Sequence, residues 1–266
     1  MVEIAFNHAT VREQADMLEF LDLCAERGIR HVSIWGQEIE KVGEDEALKK
    51  MKDLGLRTLG YHRVGPFTEE GLAMARAELE RAARFKADHV FLFTGGGVDD
   101  HGIATERKRV ENCIFELMPL FRELGLKLAI EPLHPMLTGD RSVFSTLAQA
   151  NDLCERLGDG AGVVIDAHHV WWDPALELEI ARAGDAGRLM GFHVNDWLIP
   201  TRDLVSDRGM MGDGVIDLAS MSALIHRAGY RGPLEVEIFS VRWWNCDPGK
   251  VLDIAISRCR SLFDQP

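Results

Sequence analysis

Short runs of consecutive apolar residues alternate along the chain with longer segments in which apolar residues recur every three or four positions. The runs have the length of strands buried on both faces, and the longer segments have the period of amphipathic helices. The predicted strands are residues 3–6, 31–35, 57–62, 89–93, 127–131, 162–166, 189–194 and 233–239. The predicted helices are residues 10–27, 44–54, 68–86, 105–124, 143–157, 175–183, 217–228 and 248–263.

This alternation predicts the fold class. Strands that alternate with helices form parallel sheets, and eight strand-helix pairs within 266 residues predict a closed barrel. The first strand is not followed by the G-x-G-x-x-G pattern that an open dinucleotide-binding sheet carries. Because no change in composition and no Pro/Ser linker divides the chain, we predict one domain over residues 1–266, an α/β fold of the (β/α)8 TIM barrel type.

Composition narrows the function classes. Hydrophobic residues at 46% and charged residues at 27% are typical of a soluble globular protein. A net charge of −13 without any Lys/Arg run argues against binding to nucleic acid. No apolar stretch reaches membrane length, and the first ten residues lack a basic region and a long apolar run, so we expect neither a membrane helix nor a signal peptide. Five widely spaced cysteines without a C-x-x-C motif suit a reducing compartment, so we expect a cytoplasmic protein.

Four predicted strands in the second half of the chain carry a side chain of the metal-ligand type at or near their C-terminal ends. These side chains are Glu131, Asp166, His193 and Glu237. A carboxylate buried in a strand is unfavourable unless it is paired, and one shared cation explains all four at equivalent strand ends, where the active sites of such barrels lie. Taken singly, Glu131 and His193 could instead be paired groups inside the barrel, and Asp166 could cap a helix.

This ligand set also indicates the metal. Three carboxylates and one imidazole form a hard, oxygen-rich set that favours Mn²⁺, Mg²⁺ or Co²⁺ over a closed zinc site. Zinc remains an alternative because catalytic zinc accepts the same ligand types. We therefore predict one divalent metal ion, with Mn²⁺ as the first choice.

Histidine and tryptophan side chains gather after the predicted strands as well. They are His8, His62, His134, His168, His169, His193, Trp35, Trp171, Trp172, Trp197, Trp243 and Trp244. Aromatic faces interspersed with hydrogen-bonding groups suit a sugar or polyol, whose C–H faces stack while its hydroxyls bond. From this set we select His62, His134 and Trp35 as candidate substrate contacts. For each tryptophan, closing the barrel or filling a subunit interface is the alternative.

Five segments together resemble successive motifs of the xylose isomerase-like TIM barrel superfamily, in its sugar isomerase/epimerase branch. The segments are IEPLHP, IDAHH, FHVND, DRGMMGDG and VEIFS, all between residues 130 and 240. The resemblance covers essentially the whole chain and is most specific from residue 128 to 240. It implies the same ligand set as in the ketose 3-epimerases of this group, namely Glu131, Asp166, His193 and Glu237.

The resemblance further implies a mechanism. The metal would bind a carbonyl and an adjacent hydroxyl oxygen of the sugar, acidify the C–H between them and stabilise a cis-enediolate. Glu131 and Glu237 would remove and return the proton on opposite faces, which inverts the carbon. His169 and Arg208 match substrate-binding positions of the family. These expectations define a metal-dependent isomerase or epimerase of carbohydrate metabolism.

Other functions are compatible with the same residues, some through the same enolisation and one without catalysis. Return of the proton to the neighbouring carbon would make the protein an aldose–ketose isomerase. Loss of a group β to the carbanion would make it a lyase or dehydratase acting on keto-sugars or keto-inositols. A non-catalytic sugar-binding barrel is a third alternative, against which the Glu131 and Glu237 pair argues. The superfamily's DNA-repair endonucleases need an Asp-x-His after strand 7, and residues 211–214 offer no histidine.

The expected partner is a small-molecule sugar or sugar derivative. Basic residues do not cluster at any one predicted loop, which favours a substrate without a phosphate. The long segment 195–213 could act as a lid or as a subunit contact, and its Arg202 competes with Arg208 for the substrate role. A homo-oligomer is a further alternative, with residues 171–172 and 243–244 as candidate contact surfaces.

Overall fold

A computed structural model describes residues 2–65, 69–95 and 102–264. Within these ranges eight strands, each paired in parallel with both neighbours, close into a barrel in which the last strand pairs with the first. The strands are β1 (Ile4–Asn7), β2 (His31–Trp35), β3 (Arg57–Val64), β4 (His89–Leu92), β5 (Leu128–Ile130), β6 (Ala161–Asp166), β7 (Leu189–Val194) and β8 (Leu234–Val236). The (β/α)8 barrel that the alternating pattern predicts is confirmed.

Helices follow the strands around the barrel. They are α1 (Met17–Glu26), α2 (Gly36–Val42), α3 (Glu44–Leu54), α4 (Glu69–Arg84), α5 (Gly102–Leu124), α6 (Leu147–Leu157), α7 (Ala167–Val170), α8 (Leu176–Asp185), α9 (Leu218–Arg227), α10 (Val241–Trp244) and α11 (Pro248–Phe263). Two short 3₁₀ turns, His8–Thr10 and Pro135–Leu137, lie in the loops after β1 and β5. Across the described ranges, no helix has both the length and the apolar character that a membrane span requires.

Two helices begin later than predicted and a third was not predicted, each for a local reason. The helix expected over 10–27 begins at Met17, because the Asp16 side chain caps its N-terminus in a capping box with Glu19. The helix expected over 143–157 begins after Thr146, whose hydroxyl oxygen accepts from a backbone N–H of the first turn. The sequence interpretation missed α2, which Gly43 at φ 92° separates from α3. The first residue of the helix expected over 68–86 lies outside the described residues.

Strand alternation decides which side chains face the interior of the barrel. On β4, β5 and β6 the residues Phe91, Ala129 and Val164 form a small cluster inside the barrel. Their strand neighbours, among them Ile130 and Ile165, pack in the large cluster between strands and helices. Because successive side chains point to opposite faces, the residues that follow these outward positions point inward, towards the interior of the barrel.

The long segment after β7 is folded around one carboxylate. Asp196 accepts hydrogen bonds from the backbone N–H groups of Trp197, Gly212, Gly214 and Ile216 at 2.8–3.1 Å. Asp196–Trp197 also pairs in antiparallel fashion with Arg208–Gly209. A Cβ at Gly214 would lie 2.2 Å from the Trp197 carbonyl oxygen, so only glycine fits there. This packing places Arg208 against the end of the barrel.

Candidate metal centre

Four inward-facing side chains at the C-terminal ends of β5 to β8 meet at one point. One ligand atom from each of Glu131, Asp166, His193 and Glu237 lies within 4.8 Å of all the others. The Nδ1 atom of His193 is 2.9 Å from Glu131 Oε1, 3.6 Å from Glu237 Oε2 and 3.9 Å from Asp166 Oδ2. Asp166, His193 and Glu237 are buried, and the Glu131 side chain is 15% exposed. The strand pattern explains this meeting, since each residue follows an outward-facing strand position.

Two of these atoms lack a hydrogen-bond partner. Glu131 Oε1 and His193 Nδ1 are 2.9 Å apart but are not aligned for a hydrogen bond, and neither finds another partner among the described residues. Unsatisfied buried polar atoms are rare and cost free energy. A divalent cation at the common point would satisfy both atoms together with the two remaining carboxylates. The residues present therefore fit a metal ion.

The pKa shifts of Glu131 and His193 also indicate that this cluster binds a cation. Burial raises the pKa of Glu131 to about 7, although the neighbouring His193 opposes the rise. Burial alone would lower the pKa of His193, but the carboxylates of Glu235 and Glu237 hold it well above its usual value. The carboxylates thus recruit a positive charge in the form of a proton on His193. A metal ion would replace that proton and bind the neutral imidazole.

Hydrogen bonds orient the Asp166 carboxylate. Its Oδ1 accepts from the backbone N–H of His168 at 2.8 Å and from Asn195 Nδ2 at 2.9 Å, and its Oδ2 accepts from Arg208 Nη1 at 2.8 Å. Burial opposes ionisation of Asp166, but the charge of Arg208 and the contact with His169 hold its pKa well below its usual value. Partners of this kind fix the orientation of a metal ligand. The sequence interpretation missed Asn195, for which the segment FHVND was the available signal.

Asn7, at the end of β1, orients the last candidate ligand. Its Nδ2 donates to Glu237 Oε1 and to Glu235 Oε1, both at 2.9 Å, and its Oδ1 accepts from Trp35 Nε1 at 2.7 Å. Glu235 lies inside the barrel, 3.4 Å from the second nitrogen of His193. The sequence interpretation also missed Asn7. A polar residue that ends a buried strand at the same barrel edge was the only signal for it.

Arg208 and His169 lie beside the four candidate ligands. Arg208 Nη1 donates to Glu237 Oε2 at 2.8 Å, and Arg208 Nη2 is 3.1 Å from His169 Nε2. Burial lowers the pKa of His169 to about 3, so its ring is neutral. The backbone N–H of His134 lies 3.2 Å from the other ring nitrogen of His169. A donor therefore lies beside each ring nitrogen of His169. Because a neutral imidazole accepts at one nitrogen only, His169 can accept from only one of the two at a time.

A cavity of about 300 Å³ opens above this centre. Its lining includes six of the nine predicted site residues, namely Trp35, His62, Glu131, His169, Arg208 and Glu237. Asp166 and His193 are fully buried and do not line it. His134 is half-buried outside the lining, where it stacks on Trp197 at 4.8 Å between ring centroids.

The neutral wall of the cavity is aromatic. The His62 ring lies between Trp35 and Phe91, with centroid distances of 4.8 Å and 4.0 Å and nearly parallel planes. Burial lowers the pKa of His62 to about 4, so this stack is uncharged. Phe239 extends the wall by an edge contact with Trp35. Such a wall can pack against the C–H face of a polyol while the opposite side of the cavity offers charged groups.

Comparisons with known proteins agree with this fold. The family described as xylose isomerase-like TIM barrel matches residues 21–262. Inosose isomerase from Halalkalibacterium halodurans is 24% identical to this chain, over 96% of this chain and 94% of that protein. The crystal structure of protein SMc04130 from Sinorhizobium meliloti 1021 superposes with a TM-score of 0.95 at 40% identity, over 98% of each chain. The structure of IolI protein with a zinc atom superposes with a TM-score of 0.84 at 18% identity, over 98% of this chain and 97% of that one.

Proposed function

This chain belongs to the xylose isomerase-like TIM barrel family, and on that premise we propose that it is a divalent-metal-dependent isomerase or epimerase of a sugar or sugar derivative. One observation carries the proposal. Glu131, Asp166, His193 and Glu237 converge with buried atoms that lack hydrogen-bond partners, at the floor of a cavity with an aromatic wall. The likeness to an inosose isomerase along nearly the whole chain supports the same class of reaction.

The proposed cofactor is one Mn²⁺ ion, held by these four residues. The oxygen-rich ligand set favours Mn²⁺, and zinc is the alternative because the IolI crystal structure carries it. When bound, the ion supplies Lewis-acid polarisation of a substrate carbonyl and adjacent hydroxyl.

The proposed acid/base pair is Glu131 and Glu237. One carboxylate removes the proton from the carbon beside the carbonyl, and the other returns a proton to the opposite face of the resulting cis-enediolate. Both Glu237 oxygens accept hydrogen bonds, one from Asn7 and one from Arg208, so this carboxylate is fixed in place. Glu131 Oε1 has no such bond among the described residues. Fewer hydrogen bonds therefore hold Glu131 than hold Glu237.

The proposed substrate contacts are Arg208, His169, His62 and Trp35. The Arg208 guanidinium keeps its Nε without a partner in the described part of the chain, and its other nitrogens face His169 and the carboxylates. These donors suit the negative oxygen that develops in an enediolate. The aromatic wall would exclude water and pack against the sugar. His134 stays a predicted contact, although it lies outside the cavity lining.

A role in cytoplasmic carbohydrate metabolism completes the proposal. The five cysteines are free thiols in the structure, which suits a reducing compartment.

Solvent deuterium exchange tests the reaction class. The full chain is loaded in turn with Mn²⁺, Mg²⁺, Co²⁺ and Zn²⁺ and incubated in D₂O with an inosose and with neutral, carboxylated and phosphorylated ketoses, and the products are followed by NMR. We expect metal-dependent deuterium incorporation at the carbon beside the carbonyl, abolished by EDTA. An inverted carbon in the product identifies an epimerase and a shifted carbonyl an isomerase. Absence of exchange with every metal and every substrate would contradict the proposal.

A further inference from the structure

Three arginines line the cavity above the candidate metal centre, in a chain whose net charge is −13. They come from three different loops, with Arg12 after β1, Arg141 after β5 and Arg208 after β7. Arg208 is neutralised by its buried contacts with Asp166 and Glu237 at 2.8 Å. Arg12 and Arg141, whose side chains are 27% and 41% exposed, have no comparable buried partner among the described residues, so their guanidinium groups remain available to an anion in the cavity.

Arg12 is held by aromatic rings rather than by a buried carboxylate. Its guanidinium carbon lies 4.9 Å from the ring centroid of Phe239 and 5.0 Å from that of Trp244. Cation–π contacts use the faces of the group and leave its edge N–H groups for other partners. Among the described residues its ion pair is with Glu13, whose side chain is 55% exposed, and exposed pairs of this kind contribute little.

Arg141 also has an N–H donor without a hydrogen-bond partner among the described residues. This donor is its Nε, which is buried. The nearest carboxylate, Asp140, is 3.8 Å away and 80% exposed, and the exposed carboxylate of Asp203 also lies in its field. Both acids are well solvated, so neither compensates the guanidinium fully.

The other charged groups of the cavity leave these two arginines unbalanced. In the described residues the acidic side chains of the lining are Glu131 and Glu237, and both belong to the candidate metal centre. The three carboxylates of that centre would be balanced by a divalent cation together with Arg208, and Glu235, a fourth carboxylate deeper in the barrel against His193, does not line the cavity. The remaining charge of the cavity is therefore that of Arg12 and Arg141, which is positive.

We infer that the substrate is an anionic sugar derivative, whose carboxylate or phosphate is bound by Arg12 and Arg141 while its carbonyl end faces the candidate metal centre. The inference rests on the proposed function and specifies its substrate class. Guanidinium groups bind carboxylates and phosphates through charge-assisted hydrogen bonds. The sequence alone favoured a substrate without a phosphate because its basic residues are dispersed, but the fold brings three of them together.

Binding of three matched polyols tests the inference. D-sorbitol, D-gluconate and D-sorbitol 6-phosphate are neutral, carboxylated and phosphorylated at one end, and each is titrated calorimetrically into the Mn²⁺-loaded full chain. We expect at least one anion to bind about tenfold or more tightly than sorbitol. R12Q and R141Q should each remove most of this preference, measured as the ratio of anion affinity to sorbitol affinity within the same variant. R260Q, at an exposed position on α11, is the matched control and should retain the preference.

The two anions distinguish the two sources of charge. Preference for gluconate alone assigns a carboxylated substrate, and preference for sorbitol 6-phosphate alone assigns a phosphorylated one. Equal affinity for all three polyols, a preference that survives in both R12Q and R141Q, or no anion binding up to about 10 mM would overturn the inference. Metal-dependent exchange with neutral ketoses would then still support the proposed function. Failure of exchange with every substrate would count against the proposed function, whatever the anions do.

Discussion

The two halves of the barrel use the same strand geometry for opposite chemistry. In both halves the inward residue at the C-terminal end of a strand faces the site. Strands β1 to β4 present the neutral residues Asn7, Trp35, His62 and Phe91. Strands β5 to β8 present the ionisable residues Glu131, Asp166, His193 and Glu237. One half therefore shapes the cavity, and the other gathers charge at a single point.

The difference shows what controls protonation on each side. In the first half burial lowers the pKa of His62 to about 4, although the carboxylates of Glu237 and Glu235 oppose the shift, so its ring is neutral. In the second half burial also disfavours a charged His193, but neighbouring carboxylates outweigh it and raise the pKa. A group of carboxylates this dense needs a counter-charge. Asn7 joins the halves, since it donates to Glu237 and accepts from Trp35.

Paired substitutions, one in each half, should produce the largest contrast. E131Q removes a proposed acid/base group, so we expect deuterium exchange to fall by about 10²–10⁴-fold. H62Q changes a proposed wall contact to the substrate and one hydrogen bond from Asn7, neither of which transfers the proton, so a loss of about tenfold or less is expected. Exchange rates by NMR and thermal unfolding by circular dichroism measure activity and folding separately. Equal losses in the two variants would remove the functional distinction between the halves.

Substitution of Arg208, the buried guanidinium of the second half, should have the next largest effect. In R208M the carboxylates of Asp166 and Glu237 lose their shared guanidinium. Breaking a buried pair on one side typically destabilises a protein by about 3–5 kcal/mol. We expect a loss of this size in urea unfolding with EDTA present and a smaller loss with excess Mn²⁺. A loss below about 1 kcal/mol in EDTA would show that these carboxylates do not depend on Arg208.

Substitution of Asn7 tests the hydrogen bonds that join the two halves at Glu237 and Trp35. N7A leaves Glu237 and Trp35 without a shared partner, and we expect Mn²⁺ affinity to fall by about 10–100-fold. N151A is the matched control, because Asn151 is also buried and donates to a glutamate, Glu179, between α6 and α8. Competition with a chromophoric chelator measures affinity, and urea unfolding measures stability. If N151A weakens Mn²⁺ binding as much as N7A does, Asn7 acts only through stability.

The smallest effect is expected at His134. It lies in the second half but outside the cavity lining, stacked on Trp197. H134Q should therefore change the exchange rate by no more than about threefold, as substitutions away from a site usually do. A loss of tenfold or more would place His134 in contact with substrate, as the strand-end pattern predicted.

The barrel and the convergence of its ligand-type residues followed from sequence because both depend on local periodicity. Apolar runs mark the strands, and the residue after the last outward position of a strand faces inward, as at Glu131 and Asp166. The start of α1 was missed because a capping box at Asp16 outweighs the apolar pattern before it. Helix α2 was missed because it is only 7 residues long and ends at Gly43, so it is too short to show a repeating amphipathic pattern.

Contacts between distant loops could not be predicted in this way. The hydrogen bonds of Asn7 to Glu235 and Glu237 span more than 220 residues of sequence and depend on barrel closure. Arg12 and Arg141 enter one cavity from loops after β1 and β5, and nothing in their local sequence distinguishes them from surface arginines. Tertiary packing therefore decides which polar residues join the site.

Metal content of the purified chain tests the central claim most directly. Elemental analysis after reloading is compared for the unaltered chain, E237Q and E179Q, the last being a buried glutamate on α8 away from the centre. We expect about one divalent ion per chain in the unaltered protein and in E179Q, and loss of that ion in E237Q. No bound metal in the unaltered chain, or full retention in E237Q, would contradict a metal centre built from Glu131, Asp166, His193 and Glu237.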